Sequence, residues 1–349
     1  MKILVYTDNH FCQNSSIIRG RGKIYSDRLE NQIKTINWVE ETACRNGCSL
    51  IINAGDFFDS PSLNSEEISA LREIKWNNSA WHYFLVGNHD ASNKSLSFSS
   101  TNLFSLCPNV DVIDRVAVVE DSTCAILFIP YISQSNLDED IKITDLLDGN
   151  VILKEKVLLI SHNDLKGVQF GNFVSKSGLS VDDIESHCSL CINGHLHNGE
   201  WVTKKILNLG NITGQNFSED AATYKHRCVI VDTDNMSCTF ITNPYAFNFY
   251  KIDMVDGGNK VPALLDNAVV TIRCKQEDVP PIKEALDNNP QVIYSRIITI
   301  SDKQEGVSGE TIETLSVNHV DKFRTFIEDT LGKDTVVEEE LRMICGGGV

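Results

Sequence analysis

Through the first 230 positions, short runs of consecutive apolar residues alternate with stretches of helical spacing. Run after run stops on glycine, asparagine, aspartate or histidine. The runs are Lys2 to Tyr6, Ser49 to Ala54, Trp81 to Val86, Lys156 to Ser161 and Cys188 to Asn193. Unbroken rather than alternating hydrophobicity marks strands buried on both faces. Leu29, Ile33, Ile36 and Val39 predict a helix over 27–46, and further helices are expected near 65–76 and 137–148. Strands are expected near 110–120 and 123–129. Trp201-Val202, Ile206 to Gly210 and Arg227 to Val231 read as strands of a second sheet. The pattern is that of an α/β protein.

Beyond about 250 the pattern changes. Ala268 to Arg273 is a strand, Val279 opens a helix with Pro280 and Pro281 in its first turn, and Val292 to Ile300 is a strand again. This is a small βαβ unit. Ser301 to Gly309 is a polar linker. From 317 to 344, Val320, Phe323, Ile327, Leu331, Val337, Leu341 and Ile344 fall on one side of a helical pattern, which fits packing on its own domain or docking to a partner. The expected division is 1–250, 251–300 and 301–349.

Composition narrows the function. A net charge of −17 over 349 residues argues against a protein that coats nucleic acid, although metal ions or a partner chain can supply local positive charge. Arg19, Arg21, Lys23 and Arg28 form the densest basic run, read either as a solvated loop or as a DNA phosphate contact. Residues 164–178, with Lys166, Phe170, Phe173 and Lys176, read as a surface loop or as one that grips a strand. No GxxxxGK[ST] pattern occurs, which excludes P-loop binding of ATP. The eleven cysteines are scattered, and Cys188-x-x-Cys191 reads as two buried thiols. Lys2 to Tyr6 reads as a strand rather than a leader, and no run is long enough to span a membrane, so a reducing cytosol is expected.

The strand ends carry the chemistry. They read Asp8-x-His10, Gly55-Asp56-x-x-Asp59, Gly87-Asn88-His89-Asp90, His162, and Gly194-His195-x-His197, and five of the nine histidines fall in them. Residues i and i+2 of a strand face one way, so Asp8 and His10 can point at one ion, and the imidazoles of His195 and His197 are expected on one side. Asp56 has two oxygens and can bridge two cations. Asp59 either orients a ligand from behind or opens the turn at Ser60-Pro61. Two cations about 3.5–4 Å apart suit phosphodiester hydrolysis, because they neutralise the anion and activate water. Imidazoles mixed with carboxylate and amide oxygens fit Mn²⁺, Fe²⁺ or Zn²⁺ better than Mg²⁺.

In this order the motifs resemble the calcineurin-like metallophosphoesterase superfamily, across roughly residues 1–240. The resemblance implies a two-sheet αββα sandwich with a small βαβ cap and a C-terminal helical segment. It implies one ion on Asp8, His10, Asp56 and His197, and another on Asp56, Asn88, His162 and His195. His89 stands over the phosphate as a catalytic residue, with Asp90 beside it and Asp59 behind the ligands. Mn²⁺ is the expected ion, with Mg²⁺ as the alternative. Within the superfamily, Gly55-Asp56-Phe57-Phe58-Asp59-Ser60-Pro61 and Gly87-Asn88-His89-Asp90 are similar to SbcD-type DNA nuclease subunits, and the chain's size and compactness resemble the phage-encoded members of that group. That implies a DNA exo/endonuclease acting in DNA end processing, recombination and repair. Its expected partner is an SbcC-type coiled-coil ATPase held by the C-terminal helices, with a homodimer inside a heterotetramer. The expected place is the cytoplasm of a bacterial or phage-infected cell, away from membranes. The alternatives are a phosphodiesterase or phosphatase for small molecules, or a non-catalytic scaffold that loads the ATPase.

Overall fold

The first strand, β1 (Lys2–Tyr6), buries Ile3 and Val5 on one face and Leu4 and Tyr6 on the other. A sheet built on it therefore needs cover on both sides. The computed structural model describes residues 1–300 apart from 19, 21, 23, 93–94, 134–139, 148–151, 171–172, 220 and 256–262. Arg19, Arg21 and Lys23, and the linker and helices expected over 301–349, lie outside the described residues.

In chain order the next strands are β2 (Leu50–Asn53), β3 (Trp81–Leu85), β4 (Val110–Ile113), β5 (Ala117–Glu120), β6 (Ala125–Ile129), β7 (Val157–Ser161) and β8 (Leu190–Asn193). They are followed by β9 (Glu200–Trp201), β10 (Ile206–Asn208), β11 (Arg227–Asp232), β12 (Ser237–Thr242), β13 (Asn248–Asp253), β14 (Ala268–Lys275) and β15 (Val292–Ile300). One six-stranded sheet has the order β12-β11-β1-β2-β3-β4, and the other β9-β10-β8-β7-β6-β5. Strands β1 to β4 are mutually parallel, as are β6, β7, β8 and β10.

Between the sheets lie Ile3, Val5, Ile52, Leu85, Ile126, Phe128, Leu158, Ile160, Ile192 and Leu207. Leu4, Tyr6 and Ile51 on the far side of the first sheet meet Leu29, Ile36 and Val39 of helix α1 (Asp27–Asn46) and Ala70 and Leu71 of α2 (Ser65–Leu71). Leu127, Leu159 and Cys191 on the far side of the second meet Ile143 of α3 (Ile143–Leu146) and Ile184 of α4 (Val181–His187). The layering is αββα. Helix α1 is fixed at both ends, by the Ser26 hydroxyl accepting from Leu29 N–H and by Gly47 at φ 67°.

Four expectations differ from this. Arg227–Asp232 belongs to the first sheet, antiparallel to β1, because a run buried on both faces suits either sheet. The strand expected over 110–120 is two strands, and the chain changes sheets at Asp114 to Val116. Of the helix expected over 137–148, Ile143–Leu146 is helical and Asp140–Ile141 is a strand paired with Gly178–Leu179. Within 164–178, Gln169–Phe170 and Phe173–Val174 pair as a small hairpin.

The three-stranded sheet β13-β14-β15 also contains a strand that sequence reading did not assign, β13, parallel to β14. Helix α5 (Val279–Asp287) packs on it through Ile282 and Leu286. Ile18, Phe247, Phe249 and Val269 join this sheet to the segment after the first motif. Tyr294 on β15 donates to Asp27 at 2.5 Å and accepts from Gly20 N–H. No helix among the described residues is long and apolar enough to cross a membrane.

Candidate metal centre

The chain leaves the carboxyl ends of β1, β2 and β3 in one sheet, and of β7 and β8 in the other, and each exit carries a motif. Beyond β1 and β2 the two loops stay paired: Asp8 N–H donates to Gly55 C=O at 3.1 Å, His10 N–H to Asp56 C=O at 3.0 Å, and Phe11 N–H to Phe57 C=O at 2.7 Å. Helix α1 holds the first loop from below, with Gln32 Nε2 donating to the carbonyls of Asn9 and His10. Arg28 is buried and turned the same way, towards Cys12 Sγ and the His10 carbonyl. It is therefore removed from the basic run read as a DNA contact.

Asp8, His10, Asp56 and His195 all have positive φ, at 52°, 46°, 49° and 78°. Left-handed backbone at four non-glycine residues in one place costs energy and clusters at functional sites. Asp8 and His10 thus do not share a side by strand alternation. The strand has ended at Tyr6, and left-handed backbone at Asp8 and again at His10 brings the two side chains together.

Three groups result: Asp8, His10 and His197; Asp56, His162 and His195; and His10, Asp59 and His89, the chosen ligand atoms of each lying within 4.8 Å of one another. His10 Nε2 is 3.8 Å from both Asp8 Oδ1 and Asp56 Oδ2, and His197 Nε2 is 4.0 Å from Asp8 Oδ1. His162 Nε2 is 3.1 Å from Asp56 Oδ2, and His195 Nδ1 is 3.0 Å from Asn88 Oδ1. Asp56 stands between the first two groups.

These atoms fit cations. Asp8 Oδ1, His10 Nε2 and His162 Nε2 are buried without a hydrogen-bond partner among the described residues. Such atoms are rare unless something else satisfies them. Donors about 2.1 Å from one ion lie roughly 3–3.5 Å apart, and the separations here fall in or a few tenths beyond that range. The ring nitrogen turned away from each group has its own acceptor. His10 Nδ1 meets Asp59 Oδ1 at 2.9 Å, His162 Nδ1 meets the Ala54 carbonyl at 2.7 Å, His197 Nδ1 meets Glu219 Oε1 at 3.1 Å, and His195 Nε2 lies 3.5 Å from Asp164 Oδ1. That arrangement fixes which nitrogen keeps its lone pair.

The electrostatics point the same way. Burial disfavours charge at all of these groups, yet His162 and His10 hold Asp8 down at about 2, and His162 lowers Asp56 as well. Against the same burial, the carboxylates of Asp59 and Asp8 push His10 up to about 10, and those of Asp56 and Asp8 push His162 up to about 9. The cluster takes up positive charge, and protons on two imidazoles occupy the place that cations fit.

Two glycines show how close the packing is. A Cβ on Gly87 would meet Asp56 Oδ1 at 2.1 Å, so this glycine is needed for close approach rather than for a turn. Gly55 is needed for both, with φ at 103° and His162 Nδ1 at 2.1 Å from its would-be Cβ. His89 has a half-exposed side chain, its ring 4.7 Å from that of His10, with Nδ1 3.2 Å from the Asp59 carbonyl and its backbone N–H on Asp56 Oδ1. Asp90 is fully buried and spends its two oxygens on the N–H groups of Phe58 and Gly87, each at 2.9 Å. It clamps two motif loops together. Sequence reading missed Glu219 and Asp164, which stand outside any motif. Cys188 and Cys191 are buried free thiols, and burial pushes Cys188 up to about 12.

The calcineurin-like phosphoesterase family model matches residues 1–199. Exonuclease subunit 1 of Enterobacteria phage T4 is 26% identical over 172 residues, 48% of this chain and 48% of that protein, so the chain spans about half the length of that relative. Among solved structures, TT1561 of Thermus thermophilus aligns at 9% identity with a TM-score of 0.41, over 69% of this chain and 98% of that one. A dimetal phosphatase from Danio rerio aligns at 14% identity with a TM-score of 0.40, over 69% and 98%.

Proposed function

Because the chain belongs to the calcineurin-like phosphoesterase family, we propose that it is a two-metal DNA exo/endonuclease subunit that hydrolyses phosphodiester bonds. Asp8, His10, Asp56 and His197 would hold one ion, and Asp56, Asn88, His162 and His195 the other, with Mn²⁺ preferred. When bound, such a pair supplies Lewis-acid polarisation of the phosphoester and activation of water. Asp56 would be the ligand common to both ions. Asp59, the Ala54 carbonyl, Glu219 and Asp164 keep the imidazoles turned. His89, with Nδ1 on the Asp59 carbonyl, presents Nε2 as the atom that passes a proton to the leaving oxygen as the P–O bond breaks. Asp90 acts through the loops it joins.

One observation carries this reading: buried, unpartnered carboxylate and imidazole atoms face one another at separations suited to ions. The phage relative, named as an exonuclease subunit, favours DNA as substrate. An SbcC-type ATPase docked on 301–349, a homodimer inside a heterotetramer, contacts from Arg19, Arg21 and Lys23 to the DNA backbone, and residence in the cytoplasm complete the proposal.

The test supplies Mn²⁺ with linear duplex DNA, alone and with the ATPase, and in parallel with a chromogenic phosphodiester. Cleavage of DNA that needs the metal is expected. Turnover of the small diester with DNA left intact under both conditions would replace this reading with a small-molecule phosphodiesterase. Wild type and His89→Ala equally inert on DNA at full metal occupancy, with the ATPase present, would leave the scaffold.

A further inference from the structure

We infer that Glu219 is the positioning residue for His197, and that it sets the affinity of one ion site while leaving the other largely alone. The inference rests on the two-metal reading above and adds a residue that no motif contains.

Glu219 lies between β10 and β11 and is 1% exposed. A carboxylate at that depth needs partners to offset its lost hydration. Its Oε1 accepts from His197 Nδ1 at 3.1 Å and from Asn211 Nδ2 at 2.6 Å, and its Oε2 accepts from Gln215 N–H at 2.8 Å. His226 Nε2 stands 3.9 Å from Oε2, and its Nδ1 donates to the Asn211 carbonyl. Glu219 therefore ties a metal-facing imidazole to Asn211 and Gln215 of its own loop.

A hydrogen on His197 Nδ1 leaves the lone pair on Nε2, the atom that faces Asp8 Oδ1. His197 needs this tether more than His10, its partner in the same group, does. Its side chain is 27% exposed, against 1% for His10, so packing alone does not hold the ring. The same loop returns to the group from the other side, because Gln215 Nε2 donates to the Asp8 carbonyl at 3.4 Å. In the other group, His162 is held by the Ala54 carbonyl and His195 by Asp164. The effect of Glu219 is thereby directed to Asp8, His10 and His197.

The test is Mn²⁺ titration calorimetry on the full chain, as wild type, Glu219→Gln, His197→Ala and the double variant, with circular dichroism as the check on folding. Wild type is expected to bind two ions. Glu219→Gln keeps the volume and removes the charge, and is expected to weaken one ion by about 10–100-fold and the other by no more than about twofold. The double variant is expected to match His197→Ala, as two residues acting through one interaction do. If Glu219→Gln does not fold, Glu219→Asp, with a shorter reach, serves in its place. Equal weakening of both ions, no weakening of either, or losses that add in the double variant would overturn the inference. A wild type that takes up no ion would instead overturn the metal centre on which it rests.

Discussion

Gly87 and His89 stand two residues apart and fail in different ways when changed. A methyl group at Gly87 lands 2.1 Å from Asp56 Oδ1 and 2.5 Å from Asp56 N, so backbone has to move. Gly87→Ala is expected to lower stability by roughly 1–3 kcal/mol and metal affinity by about tenfold or more, measured by thermal melting and calorimetry. His89→Ala removes no proposed ligand. It is expected to lower kcat by about 10²–10⁴-fold while metal content stays at the wild-type value. Loss of metal from that variant would return His89 to the ligand set. At this scale the sequence was legible where residue types recur at strand ends, as with His10, His162 and His195. It was illegible for Glu219, which stands in a loop outside every motif, is brought to His197 by a contact distant in sequence and has no periodic signal. The pairing of Asp8 with His10 was foreseen through alternation along a strand, and the chain achieves it through left-handed backbone instead.

At the scale of elements, the motif loops are held to one another as well as to their strands. Asp90 joins the loop after β2 to the loop after β3 by accepting from Phe58 and Gly87 N–H. Asp90→Ala leaves two buried amides without acceptors, a loss of about 2–6 kcal/mol at the usual cost per group. Chemical denaturation checks it, and an unchanged midpoint would mean that water replaces the carboxylate. The strands themselves were legible because their apolar runs are unbroken. The same property hides which sheet each belongs to: Arg227–Asp232 reads as part of the second sheet and pairs with β1 of the first. Two buried faces look alike in sequence, and pairing with Lys2–Val5 is a long-range contact. The segment near 137–148 reads as helical in sequence, and Asp140–Ile141 instead pairs with Gly178–Leu179, a tertiary contact overriding local preference.

For the whole molecule, a net charge of −17 makes the acquisition of positive charge central to the site. Without metal, His10 is raised from 6.5 to about 10 and His162 to about 9, because neighbouring carboxylates outweigh burial. The sign follows from linkage. A raised imidazole contributes stability to the metal-free fold that is fully present below about 6.5 and is lost as pH rises through 9 and 10. Metal ligands have to be deprotonated, so an arriving ion displaces those protons, and its affinity grows by about tenfold per pH unit for each proton released, up to about 100-fold for two. Raising pH therefore loosens the metal-free protein while tightening the loaded one. The rise in melting temperature produced by a fixed excess of Mn²⁺ is expected to be larger at pH 8 than at pH 6.5, because ligand stabilisation scales with the logarithm of affinity. Differential scanning calorimetry with and without Mn²⁺ at the two pH values measures it. A stabilisation that is flat or falls between them would mean that no proton leaves His10 or His162 on binding, and that the ions sit elsewhere.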